Sequence, residues 1–262
     1  MDLGLRDTVV LITGGSKGIG LACARAFAAE GARVALSSRS ADNLERAAAT
    51  LGSEGFEAFT VVADLRDPQQ AATMVQAVEA RLGPIGVLVN SAGAAQRTPP
   101  AELTAAHWHA AMDAKYFTYV HAMDAVLRGM ADRGEGVIIN VIGMGGKLAA
   151  PTHLPGGAAN AALMLASAGL ANAFARKGIR VNAVNPGLTA TDRMQQGLEA
   201  EARLAGRSAD EVLDERVRAM PLGRLAQPGD VADTVVFLAS KRASYVSGAV
   251  VSIDGAATPM VV

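Results

Sequence analysis

Short runs of β-branched and apolar residues alternate with longer Ala- and Leu-rich stretches along the whole chain. The run 9–12 (VVLI) comes first, followed by a glycine-rich turn and then by 21–28, which has no internal Gly or Pro. The same alternation continues with apolar runs at 33–36, 59–62, 87–89, 137–139, 180–184 and 249–253. Between them lie helix-like stretches at 41–51, 68–82, 102–133 and 157–176, and Pro68 suits a first helical turn. Apolar strands separated by helices predict an α/β architecture: a doubly wound, seven-stranded parallel sheet with helices on both faces. There is no linker, low-complexity tract or internal repeat, so 1–262 reads as a single domain.

The turn after the first run is TGGSKGIG, residues 13–20. Strand, glycine turn and helix in that order let backbone N–H groups and a helix N-terminus meet a pyrophosphate, the dinucleotide-binding arrangement of a Rossmann fold. Gly14, Gly18 and Gly20 keep side chains out of the turn, and Ser16, Lys17 and Ile19 complete it. The second strand ends in Ser37, Ser38 and Arg39, where such folds read the adenosine ribose. An acidic residue there would repel a 2′-phosphate, whereas hydroxyls and a guanidinium suit one. With Lys17 nearby, this predicts NADP(H) as the preferred cofactor and NAD(H) as the alternative.

Composition narrows the class. Half the residues are apolar and the net charge is −1 with both signs interspersed, so nothing points to nucleic acid or an anionic membrane. The lone Cys23 excludes an internal disulfide framework and reads as a small core residue. The N-terminal MDLGLRD has no signal-peptide character, and no apolar run approaches membrane-spanning length. A cytoplasmic protein acting on a small molecule is expected. No His, Cys, Asp or Glu cluster has metal-ligand spacing, so no metal is expected.

Over essentially its whole length the chain resembles the short-chain dehydrogenase/reductase family. The matching pieces are 13–20, Ala63-Asp64-Leu65, Asn90-Ser91-Ala92-Gly93, 180–187 with Pro186 and Gly187, Thr191, 221–240 and 244–256. The resemblance implies that Asp64 and Leu65 contact adenine. It also implies that Asn90, Ala92 and Gly93 line the ribose and nicotinamide side, and that Thr191 lies near the nicotinamide amide or the phosphates. A homotetramer or homodimer is implied too, as is a substrate lid at 188–220. Within that lid, Glu199 to Arg203 is spaced as an exposed helical pair.

The family's catalytic set is an Asn, a Ser and a Tyr-x-x-x-Lys pair, and all four are changed here. In register, Lys115 replaces the Asn, Gly143 the Ser, Gly156 the Tyr and Asn160 the Lys. The three tyrosines, 116, 119 and 245, are far from the second helix, and of the first two only Tyr119 shares a helical face with Lys115. A positioned acid is commonly worth roughly 10²–10⁴-fold in rate, so the ordinary carbonyl chemistry does not carry over unaltered. The ammonium and the amide have, however, exchanged helices. Lys115 then holds the nicotinamide ribose or polarises a substrate oxygen, and Asn160 orients it; the other reading is a solvated lysine and a locally packed asparagine. His153, with Lys147 as second candidate, is the nearest group for the proton role. His107 and His109 come too early on their helix. Missing side chains at 143 and 156 predict a roomy pocket and a bulky substrate. Two functions remain open: an NADP(H)-dependent oxidoreductase with an altered catalytic set, or a dinucleotide-binding sensor or partner subunit without redox chemistry.

Overall fold

Val9–Thr13 (β1) is buried at every position, as a strand covered on both faces must be. The structure, a computed structural model, describes residues 2–93 and 96–260, with all their side chains except those at 193, 196, 200, 203 and 204. The proposed partner Arg203 therefore lies outside the described side chains. After β1 come Gly18–Ala29 (α1), Arg33–Ser38 (β2), Ala41–Ser53 (α2), Ala58–Val62 (β3), Pro68–Leu82 (α3) and Ile85–Asn90 (β4). Ala105–Ala111 (α4) and Thr118–Arg133 (α5) precede Gly136–Val141 (β5) and Leu154–Phe174 (α6). Ile179–Pro186 (β6), Asp192–Ala205 (α7), Ala209–Arg218 (α8), Pro228–Ala239 (α9) and Val250–Ile253 (β7) complete the chain.

The strands form one parallel seven-stranded sheet in the order β3-β2-β1-β4-β5-β6-β7. Alternate residues feed two cores. Leu11, Leu88 and Ile138 pack with α3, α5 and α6, while Val10, Ile12 and Val89 pack with α1, α2 and α9. Each fully buried Leu or Ile contributes about 1.5–3 kcal/mol relative to exposure. The expectation of apolar strands holds in the middle of the sheet. At its edge β3 is only half-buried, with Val62 57% exposed, because nothing pairs beyond it. The strand order reverses at β1, so the C-terminal ends of β1 and β4 open the crevice in which such sheets bind ligands.

Two boundaries depart from the sequence reading. The stretch 102–133 is not one helix: α4 runs into a π-helical turn, Met112–Phe117, before α5 begins. A helical run of 27 residues, Pro151–Lys177, is built on α6 and contains an 18-residue stretch with a mean hydropathy of 1.3. It reaches the length and hydropathy of a spanning helix, correcting the expectation that no apolar run does so. Its inner face, Ala159, Leu163, Ser167 and Ala171, is buried against the sheet. Arg180, noted in the sequence only as part of a strand, has a structural task. Its guanidinium donates to the carbonyls of Leu238, Ala239, Ser240 and Val246, closing the C-terminal end of α9.

Candidate active site

The glycine turn sits where β1 ends and α1 begins. A Cβ on Gly20 would lie 2.2 Å from the Gly14 carbonyl oxygen, so only glycine lets helix and turn pack this closely. Gly14, Lys17, Gly18 and Ile19 line a cleft of about 1320 Å³, and Ser16, half-buried in the turn, is not part of its wall. Thr191 spans from the other side. Its methyl carbon is 3.3 Å from where a Cβ on Gly18 would be, and its hydroxyl accepts from Met194 N at 3.3 Å, starting α7. Pro186 and Gly187 continue the same wall.

Near the C-terminal end of β2, the Ser37 hydroxyl is buried without a hydrogen-bond partner among the described residues. The Ser38 hydroxyl accepts from Ser40 N at 3.3 Å, and Arg39 is exposed. Asp64 is gripped by Arg66, whose Nε lies 3.0 Å from both carboxylate oxygens. That bond, with a smaller contribution from Arg39, holds the Asp64 carboxyl below the usual range. Arg66 is a cation the sequence reading passed over, since an arginine two residues after an aspartate has no special signature. Leu65 is buried, and its carbonyl accepts from His121 Nδ1 at 2.9 Å, tying α5 to this loop. A second cavity of about 670 Å³ adjoins here, lined by Asp64, Arg66, His107 and Asp113 and sharing Gln96 with the cleft.

A buried polar row crosses the sheet beneath the cleft. Thr13 Oγ1 donates to Asn90 Oδ1 (3.1 Å), Asn90 Nδ2 to Asn140 Oδ1 (3.0 Å), and Asn140 Nδ2 to Ser167 Oγ (2.9 Å). Asn90 is therefore spent on the interior, with its side chain fully buried. What reaches the cleft from this segment is Ser91 and Gly93, whereas Ala92 packs against the core.

Lys115 lies in the π-helical turn. Gly93 permits that turn to come close, for a Cβ there would be 2.3 Å from the Ala114 carbonyl oxygen. The lysine is 8% exposed and lines the cleft. Its ammonium donates to Tyr119 Oη at 2.7 Å and to Val141 O at 3.1 Å, and sits 4.4 Å from the Tyr119 ring centroid. Tyr119 Oη donates to the same Val141 carbonyl, and the tyrosine is fully buried. A solvated Lys115 is thus ruled out.

Asn160 is 6% exposed, and its Nδ2 lies 3.5 and 3.6 Å from where Cβ atoms on Gly143 and Gly145 would be. His153 lines the cleft, with Cδ2 3.1 Å from the Cβ position of Gly145. Lys115, Asn160 and His153 therefore converge on the ribbon 141–145, although Asn160 is not itself on the cleft wall. Lys147 points elsewhere, its Nζ 3.5 Å from Ser252 Oγ. His107 accepts from Thr104 N at 3.1 Å and starts α4. Gly143 has φ +127°, a conformation that L side chains rarely adopt, so its lack of a side chain is built into the backbone. Gly156 is buried in the first turn of α6. Among the described residues no group of three or more His, Cys, Asp or Glu could hold a metal.

Over the cleft, α7 and α8 carry a small core of their own, Leu198, Ala202 and Val212, with an ion pair between Glu201 and Arg216 at 2.6 Å. This is the segment expected to be the lid.

The glycine cradle along the cleft, with the cations Arg39 and Arg66 beyond the ends of β2 and β3, fits an extended phosphate-bearing dinucleotide. Comparison with known proteins agrees. Residues 14–258 match the family model described as enoyl-(acyl carrier protein) reductase. Gluconate 5-dehydrogenase of Gluconobacter oxydans is 34% identical, over 95% of this chain and 93% of that protein. Galactitol 2-dehydrogenase (L-tagatose-forming) of Cereibacter sphaeroides is 36% identical, over 94% and 93%. Among solved structures, L-sorbose reductase from Gluconobacter frateurii, complexed with NADPH and L-sorbose, superposes with a TM-score of 0.92 at 31% identity, each chain fully covered. A single-site variant of actinorhodin polyketide ketoreductase with NADPH gives 0.92 at 32% identity, over 95% and 97%.

Proposed function

The chain belongs to the short-chain dehydrogenase/reductase family, and from that premise we propose that it is an NADP(H)-dependent oxidoreductase interconverting a carbonyl and an alcohol, with Lys115 polarising the substrate oxygen and His153 giving or taking its proton. One observation carries this reading: a nearly buried ammonium, held by Tyr119 Oη and Val141 O, on the cleft wall beside the side-chain-free Gly143. The nicotinamide cofactor, when bound, supplies or accepts the hydride. Lys115 donates to the substrate oxygen and offsets the negative charge that develops there. Asn160 steadies that end of the cleft, and His153 serves as the exchangeable acid or base. Preference for NADP(H) is supported by Lys17, Arg39 and Arg66, by the absence of an acidic residue at the end of β2, and by related structures solved with NADPH.

The test has two stages. Calorimetric titration should give tighter binding of NADPH than of NADH; binding of neither sinks the proposal. A carbonyl screen following NADPH consumption should then find a substrate whose turnover falls by roughly 10²-fold or more in Lys115→Met. Full activity in that variant would remove Lys115 from the reaction. Glycine at both 143 and 156 favours a second reading, a dinucleotide-binding protein without hydride transfer. In that case NADPH binds and no carbonyl consumes it.

A further inference from the structure

Arg97, in the loop between β4 and α4, lines the mouth of the cleft. Its one hydrogen bond among the described residues is from Nη1 to Thr152 Oγ1 at 3.4 Å, and no carboxylate among them pairs with it. The other cations of this half of the cleft are engaged: Arg216 by Glu201, and Lys115 by Tyr119 and Val141. Two carboxylates line the cleft, Glu201 and Asp192. The first is committed to Arg216, and the second sits in the first turn of α7, where the helix dipole favours it.

Arg97 is tethered through its neighbour. Next in sequence, Thr98 is buried, and its N–H donates to Thr152 O at 2.9 Å. Thr152 adjoins His153, so the same short segment supports both the mouth and the candidate proton donor. The lid helix α7 passes alongside: a Cβ on Gly197 would lie 3.8 Å from Arg97 Nε. An exposed guanidinium on the cleft wall, with its donors largely unspent and the lid helix alongside, presents a planar fork suited to two carboxylate oxygens.

We propose that Arg97 is an oxyanion-recognising subsite and that the substrate is an acid, a keto or hydroxy acid whose carboxylate meets Arg97 while its reacting oxygen meets Lys115. The inference rests on the reading of the cleft as a carbonyl/alcohol site. A neutral polyol would offer this guanidinium no charge partner, whereas a carboxylate offers both the charge and the paired acceptors.

The experiment is calorimetric titration of the NADPH-loaded protein with 4-oxocyclohexanecarboxylate and, separately, with its carboxamide. The expected result is at least about tenfold tighter binding of the carboxylate, corresponding to about 1.4 kcal/mol. That preference should shrink as salt is raised. It should vanish in Arg97→Met, partly return in Arg97→Lys, and leave NADPH affinity unchanged throughout. Equal binding of the two probes by the unaltered protein, or a preference that survives in Arg97→Met, overturns the assignment. Because binding is read rather than turnover, the two proposals fail separately. Carboxylate selectivity without NADPH consumption keeps the subsite and discards the redox reading; turnover of the ketone without selectivity does the reverse.

Discussion

Lys115 and Tyr119 stand four residues apart on one helical face, so the hydroxyl meets the ammonium at 2.7 Å while both lean on the Val141 carbonyl. Tyr119 does not reach the cleft; it is a positioning residue that fixes the direction of the Lys115 ammonium. In Tyr119→Phe the ring stays beneath the ammonium and Val141 O keeps one donor, so the fold and NADPH affinity should be retained. Losing that hydroxyl leaves the ammonium less firmly aimed, so carbonyl reduction should show kcat reduced more than KM is raised. An unchanged kcat would show that the hydroxyl only fills space. At Gly143, φ +127° makes the loss of the family's serine a property of the backbone, and a serine put back would be strained.

Helix α6 has one face on the sheet and another left bare. Ala158, Ala161, Leu165 and Gly169 are exposed at helical spacing, and Leu165 is 78% exposed. A strip of small apolar residues suits close helix packing, and we expect a second copy of the chain to cover it. Light scattering should give a dimer or tetramer for the unaltered protein and a smaller species for Leu165→Glu, with NADPH binding preserved. A monomer at assay concentration in both would refute the assembly.

This helix, the glycine turn and the alternation of apolar runs were all legible in the sequence because each is a local pattern with a physical period. The π-helical turn was not, for it inserts without any signal in the composition of 112–117. Pairing Lys115 with Asn160 could be read from register, but the depth of Lys115 depends on where Gly93 lets that turn settle. Asn90 reads from sequence as a cleft residue and is spent on Thr13 and Asn140, which only the sheet register brings opposite it. Arg97 had no signature at all, since a loop arginine becomes informative only once its partners are counted.

Across the whole molecule, the core that backs the glycine turn also contains an ionisable group. Cys23, on α1, is fully buried in the core that α1 shares with α9 and the sheet, and burial, with Asp233 nearby, pushes its thiol up to about 12. In the unfolded chain the same thiol titrates near 8.5, as in model peptides, so between about 8.5 and about 12 the unfolded state releases a proton that the folded state keeps. Its contribution to stability is thus complete below about 8.5 and declines as pH rises, by at most about 1.4 kcal/mol per pH unit for this one site. Other groups titrate in the same window, so the informative quantity is a difference between two proteins. Urea midpoints measured at several pH values from about 8 to about 11 should fall more steeply for the parent than for Cys23→Ala, whose core carries no proton to hold. Parallel slopes would mean that water reaches the thiol in the native state. Iodoacetamide then provides an independent check: Cys23 should be modified only as fast as the protein unfolds, with NADPH slowing the reaction by holding the glycine turn and α1 together.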